Sequence, residues 1–157
     1  FLGQYKSKKP GNITDENGKI LGVHQGLMFF TIGQRQGIKI GGIKDTDESP
    51  WYVLDKNLHT NELIIGQGNN NPKLYTRLLF ATDINWINES VKSIDELECH
   101  AKIRYRQNDQ KCTIQKVDNE YEVLFEAPQR AAAPGQSVVF YSGDECLGGG
   151  VIDRVAK

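Results

Sequence analysis

Turn signals constrain this chain more than any other feature. Its 16 glycines and 5 prolines cut 157 residues into short runs rich in β-branched and aromatic side chains. No run carries the 3.6-residue apolar period of a surface helix between those breaks. A chain of this kind buries its apolar faces by pairing strands, so the expected class is mainly β. In the first half, Asp15-Glu16-Asn17-Gly18 separates Asn12-Ile13-Thr14 from a β-like run at 19–24, a strong hairpin signal because Asn and Gly both tolerate positive φ. The apolar run 27–32 ends at the loop Gly33-Gln34-Arg35-Gln36-Gly37, where Thr31 is a candidate cap for one short helical turn. Ile38-Lys39-Ile40 reads as a short strand that opens into a mobile acidic loop from Lys44 to Pro50. A second hairpin joins 51–55 to 62–66 through a turn at 56–61.

The strongest break is Gly66-Gln67-Gly68-Asn69-Asn70-Asn71-Pro72, and it predicts a domain boundary just beyond it. Residues 1–75 are expected to form a small, roll-like β-rich central domain. Residues 76–157 hold six or so strands with no helix between them, which predicts a six-stranded antiparallel β-barrel. The run Gly148-Gly149-Gly150 suits a bulge or a tight barrel corner. Pro134-Gly135 suits the two central positions of a type II turn within a linking loop at 128–134.

Within the barrel half, His100-Ala101-Lys102-Ile103-Arg104-Tyr105-Arg106 draws attention. Read as a strand, it sets Lys102, Arg104 and Arg106 on one face and Ala101, Ile103 and Tyr105 on the other, before a turn at 107–110. Three cations on one strand face repel one another unless an anion or acidic groups sit among them. A guanidinium beside a tyrosine ring suits phosphate, sugar or a stacked base; a solvated charged face is the plainer reading. Loops at one rim of a small barrel converge, so Gln136, just past Pro134-Gly135, is expected near the end of that strand.

The bulk properties exclude several classes. Net charge is −1, so nucleic-acid contact must be local. Mean hydropathy is −0.51, and no segment approaches the roughly 18 apolar residues of a membrane span. Cys99, Cys112 and Cys146 are odd in number and lack paired spacing, which argues for a reducing compartment, with cytoplasm the default. Neither a zinc-type ligand set nor a phosphate-binding glycine motif is present, so no metal, cofactor or catalytic centre is expected in this chain. It starts with Phe1 rather than Met and reads as a piece of something longer.

Several segments, taken in order, resemble the bacterial tRNA-specific 2-thiouridylases of the MnmA/TrmU family. They are 26–35 (Gly-Leu-Met-Phe-Phe-Thr-Ile-Gly-Gln-Arg), Pro50-Trp51-Tyr52-Val53, 101–107 (Ala-Lys-Ile-Arg-Tyr-Arg-Gln), 134–141 (Pro-Gly-Gln-Ser-Val-Val-Phe-Tyr) and Cys146-Leu147-Gly148-Gly149-Gly150. The resemblance implies a central domain and a C-terminal barrel similar to translation-factor barrels. It places the ATP-binding domain and both catalytic cysteines outside this chain, which would then be inactive alone. The family adenylates the wobble uridine of glutamate, glutamine and lysine tRNAs with ATP and Mg, and a persulfide from a donor protein replaces the oxygen. The resemblance implies tRNA contact by Arg104, Tyr105 and Gln136, and assigns no catalytic residue here. An alternative from another class is a translation-factor-like module that docks a protein and has no RNA role. That reading expects an exposed apolar patch near Trp51-Tyr52 or Trp86.

Overall fold

A computed structural model describes residues 9–40 and 48–156. Residues 44–47 of the expected mobile loop fall outside them. The chain divides into two compact units, Phe1–Leu74 and Tyr75–Lys157.

The first unit holds β1 (Gly11–Thr14), β2 (Ile20–His24), β3 (Trp51–Asn57) and β4 (Glu62–Gln67) in one sheet of order β2-β1-β4-β3. Both hairpins form where the turn residues predict them. What joins them is a parallel pairing of β1 with β4, Ile13 opposite Leu63, which makes the sheet mixed. Ile13, Leu27, Phe30, Ile38, Val53, Leu63 and Ile65 are buried as one core. Two local expectations need correction. The short helical turn lies at Leu27–Phe29, and Gln34, not Thr31, supplies the nearby side-chain bond: its Oε1 accepts the Thr31 N–H at 2.9 Å. Ile38-Lys39-Ile40 is no strand, because Lys39 takes φ 56. With the backbone kinked there, Ile38 is buried and Ile40 also packs against the core while Lys39 stays exposed.

The second unit is a closed antiparallel barrel of order β10-β5-β8-β7-β6-β9, made of β5 (Tyr75–Trp86), β6 (Glu96–Lys102), β7 (Gln110–Val117), β8 (Glu120–Arg130), β9 (Ser137–Ser142) and β10 (Glu145–Val155). Closure leaves no free sheet edge in it. Alternation decides what is inside: Cys99 and Ala101 from β6, Cys112 and Ile114 from β7, Val123 and Phe125 from β8, Val138 and Phe140 from β9 all face the core. The core thiols of Cys99 and Cys112 are opposite one another, 3.7 Å apart and free. The Cys112 thiol is pushed far up by its hydrogen bond to Cys99 and by burial, which keeps it protonated and inert.

The linking loop expected from residue 128 begins later. β8 runs to Arg130 and takes Pro128 into the strand. Thr76 pairs with Gln129 but Leu78 pairs with Leu124, so β8 bulges between these contacts. Pro128 sits in that bulge, where no ladder needs its missing N–H.

Candidate functional site

β6 ends at Lys102, one turn before the expected strand end, and Ile103–Gln107 forms a tight turn closed by the Gln107 N–H donating to the Arg104 carbonyl at 3.2 Å. The face that alternation gives to Ala101, Ile103 and Tyr105 turns inward as far as Ile103, which is 5% exposed. Beyond it alternation fails: Tyr105 is 96% exposed instead of following Ala101 and Ile103 inward. Ending the strand removes the conflict that would set Arg104 and Tyr105 on opposite faces, since both belong to one projecting turn.

A glutamine network holds this turn. The Gln107 Oε1 accepts the Ile103 N–H at 3.1 Å, and its Nε2 donates to the Gln129 Oε1 at 2.5 Å. Gln129 is 2% exposed, and its own Nε2 donates to the Ala127 carbonyl at 2.8 Å and the Gln110 Oε1 at 3.4 Å. Nothing in the sequence singled out Gln107, Gln110 or Gln129. The one available signal is that Gln107 and Gln110 end the expected turn at 107–110, and reading 128–134 as a loop hid Gln129. Replacing the buried amide by an isostere of hydrocarbon shape tests the network. Gln129→Leu is expected to cost about 1–3 kcal/mol, because the Gln107 amide loses its buried partner. Hydrogen exchange at Ile103–Gln107 is expected to speed up well beyond that of the β7 and β8 amides; equal protection of both regions would show that the turn stands without Gln129.

The second rim segment is the loop between β8 and β9. Its first residues, Ala131, Ala132 and Ala133, are buried. The Gln136 N–H donates to the Ala133 carbonyl at 3.3 Å and Gly135 takes φ 85, the type II turn that Pro134-Gly135 predicts. The loop is tied to β10 by the Gly135 N–H to the Ile152 carbonyl and the Ile152 N–H to the Gln136 carbonyl, both 2.8 Å. The Gln136 amide folds back onto its own loop. Its Oε1 accepts the Ala133 N–H at 3.1 Å and its Nε2 reaches the Ala131 carbonyl at 3.5 Å. That carbonyl also accepts from the Arg104 Nη2 at 3.3 Å. Arg104 and Gln136 therefore meet on one acceptor, with Tyr105 in the same turn as Arg104.

The three expected cations separate in their partners. Lys102 pairs with Asp109 at 2.9 Å, which raises its pKa by hydrogen bond and charge, and its ammonium lies 5.2 Å from the Tyr141 ring centre. Arg104 leans on the Ala131 carbonyl, a neutral acceptor, and Arg106 is exposed. Two guanidiniums thus remain without an acidic partner among the described residues, beside an exposed phenol. Such a surface takes phosphate or sugar by charge and hydrogen bond, and a base by stacking.

Elsewhere, His24 is a structural histidine. Its Nε2 donates to the Asn61 carbonyl and its Nδ1 accepts the Gly26 N–H, both at 3.0 Å. Among the described residues no group of three or more His, Cys, Asp or Glu is placed to hold a metal, and no helix is long and apolar enough to cross a membrane. At the places named for the docking alternative, Ile87 beside Trp86 is 67% exposed while the aromatic residues are packed or half-buried. Tyr52 is buried, Trp51 packs against the first core, and Trp86 packs on Phe140 and Tyr121.

Residues 76–152 match the family described as "Aminomethyltransferase beta-barrel domain", and residues 1–67 match "tRNA methyl transferase PRC-barrel domain". Curated proteins named "tRNA-specific 2-thiouridylase MnmA" are also similar. That of Pseudomonas fluorescens strain Pf0-1 is 55% identical over 98% of this chain and 41% of its own length. That of Stutzerimonas stutzeri is 54% identical over 98% and 41%. A second Pseudomonas fluorescens protein, from strain Pf-5, is 56% identical over 98% and 40%. The chain thus spans about two fifths of the length of these relatives.

Proposed function

The chain belongs to the family of tRNA-specific 2-thiouridylases, and from that we propose that its barrel is the non-catalytic, tRNA-contacting portion of such an enzyme. Arg104, Tyr105 and Gln136 are the contact residues. One observation carries the reading: Arg104 and Gln136, on separate rim segments, share the Ala131 carbonyl beside a tyrosine that is 96% exposed. A neutral carbonyl holds the guanidinium in place without neutralising it, so the charge stays available to a phosphate. Tyr105 offers a ring for a base or ribose to pack on, and the folded-back Gln136 keeps the loop rigid beneath them.

The longer protein makes 2-thiouridine at the wobble position of glutamate, glutamine and lysine tRNAs, taking sulfur from a persulfide-bearing donor protein in the cytoplasm. ATP with Mg supplies the activation of the uridine oxygen there. The glycine run Gly148-Gly149-Gly150 is spent on strand pairing in β10. In this reading ATP acts on other residues of the longer protein, and the chain by itself is inactive. The methyl-transfer words in the family descriptions are not carried over, since the relatives that match nearly the whole chain are named for thiolation.

The test is a fluorescence-anisotropy titration of the chain against an unmodified glutamate tRNA transcript at two salt concentrations. Binding is expected to weaken with salt, and Arg104→Ala is expected to lower the salt slope by about 1, the share of a single phosphate interaction. In the full-length enzyme, Arg104→Ala and Gln136→Ala are each expected to lower thiolation at limiting tRNA. Unchanged thiolation in both variants would sink the proposal.

A further inference from the structure

The loop of Gly33-Gln34-Arg35-Gln36-Gly37, in the first unit, has no part in the barrel rim, yet it is built to a tight specification. Its backbone is bonded to the outer edge of β3, which is an edge strand of its sheet: the Gly33 N–H donates to the Val53 carbonyl at 2.8 Å and the Val53 N–H to the Gln34 carbonyl at 2.9 Å. The Gln34 side chain clamps it from within, accepting the Thr31 N–H at 2.9 Å and donating to the Gln36 carbonyl at 2.8 Å. On its far side Ile38 is buried and Ile40 packs against the same core, with Lys39 between them held at φ 56. A lysine in that conformation costs roughly 1–2 kcal/mol, which the surrounding packing must sustain.

What this frame presents is cationic and unpaired. Arg35, Gln36 and Lys39 are exposed. Among the described residues neither Arg35 nor Lys39 has an ion-pair partner, whereas Lys73, Lys92, Lys102, Lys111 and Arg154 all do. The sequence reinforces this local field. Between Glu16 and Asp45 there is no acidic residue, while Lys19, Arg35 and Lys39 fall in that stretch ahead of the acidic segment that starts at Asp45, in a chain whose net charge is −1. Surface cations of a near-neutral protein ordinarily have acids interspersed. The backbone beneath Arg35 is fixed and the charge is left open, so little loop freedom is lost when an anion binds.

We propose that the Gln34–Lys39 loop is a second binding point for backbone phosphates of tRNA, made by Arg35 and Lys39 on the first unit. This rests on the reading of the chain as a tRNA-contacting piece and extends it to a unit that the barrel residues leave unused. The interaction is with the phosphodiester backbone, because point charges without directed acceptors read charge and not base sequence.

The test compares wild-type chain, Arg35→Ala/Lys39→Ala, Arg104→Ala and Lys92→Ala for binding an unmodified tRNA transcript by anisotropy across a salt series. Thermal melts confirm that each variant is folded. Removing both cations at once is expected to weaken binding about 10-fold at low salt and to lower the slope of log affinity on log salt by about 2. Lys92→Ala, which removes a cation already paired with Glu89, is expected to leave binding within about 2-fold. If Arg104→Ala weakens binding and the double variant does not, this loop does not touch tRNA and the barrel reading stands alone. A double variant that weakens binding with an unchanged salt slope also overturns the phosphate interaction. If the folded wild-type chain fails to bind at low salt, the loop's role falls together with the reading it rests on.

Discussion

Truncating Phe140 to alanine is expected to cost the barrel about 3–5 kcal/mol, the range for deleting a buried aromatic side chain from a packed core. Phe140 is wholly buried in the middle of β9, opposite Ala101 of β6 and Gly148 of β10. Its ring lies 5.6 Å from that of Trp86 at 32°, and Trp86 in turn meets Tyr121 edge-on and donates its indole N–H to the Tyr121 hydroxyl at 3.2 Å. The neighbours across β9 are an alanine and a glycine, which cannot swing in to refill the space. The cavity therefore persists, and its full penalty applies. Urea unfolding followed by tryptophan fluorescence checks this. A small domain has about 5–15 kcal/mol in total, so a loss of this size takes away much of its stability. A cost below about 1 kcal/mol would mean that the core around Trp86 collapses freely.

Gly148→Ala is the second large effect, and it acts through the backbone. Gly148 holds φ 151, pairs across β10 with both Trp86 and Phe140, and stands where the register of β10 shifts against β9. A Cβ there would press into the Asn85 carbonyl oxygen and fall 2.9 Å from the Trp86 Cα and 3.0 Å from its ring. Two of those atoms are backbone within the barrel wall, so they cannot yield as a flexible side chain would. Backbone strain of about 1–2 kcal/mol and overpacking of about 1–3 kcal/mol together predict a loss of about 2–5 kcal/mol. Gly143→Ala separates the two causes. That glycine has φ 57 in the β9–β10 turn but open space around the added methyl, so only the conformational part, about 1 kcal/mol, is expected. Thermal or urea unfolding of both variants gives the comparison, and equal losses would show that the close approach at Gly148 costs nothing.

Both sites bear on the proposed RNA contact, because the Arg104 turn and the Gln136 loop are carried by the strands that Phe140 and Gly148 join. A rim can hold a guanidinium at a fixed place only while the barrel beneath it is closed. Loss of tRNA binding in these variants is therefore expected to track their unfolding. Arg104→Ala, by contrast, is expected to weaken binding at full stability.

The sequence by itself determined the elements whose cause is local. The turns at Asp15-Glu16-Asn17-Gly18 and Pro134-Gly135 appear where they were expected, because a few residues with restricted or permissive φ decide them. Period-two alternation placed Ala101 and Ile103 on one face, which the barrel turns inward, and a chain of short strands with no helix between them specified six antiparallel strands in its second half. Tertiary structure alone decided where alternation stops. β6 ends at Lys102 because the Gln107 amide, held by Gln129 once the barrel closes, accepts the Ile103 N–H that a longer strand would have paired. Pro128 could enter β8 because that strand bulges there against β5. Lys39 could take a left-handed conformation because the first core holds an isoleucine on each side of it. The meeting of Arg104 and Gln136 on the Ala131 carbonyl is of the same kind. Which backbone groups are left for side chains to bind is settled only after every strand has found its partner, and no local run of residues contains that information.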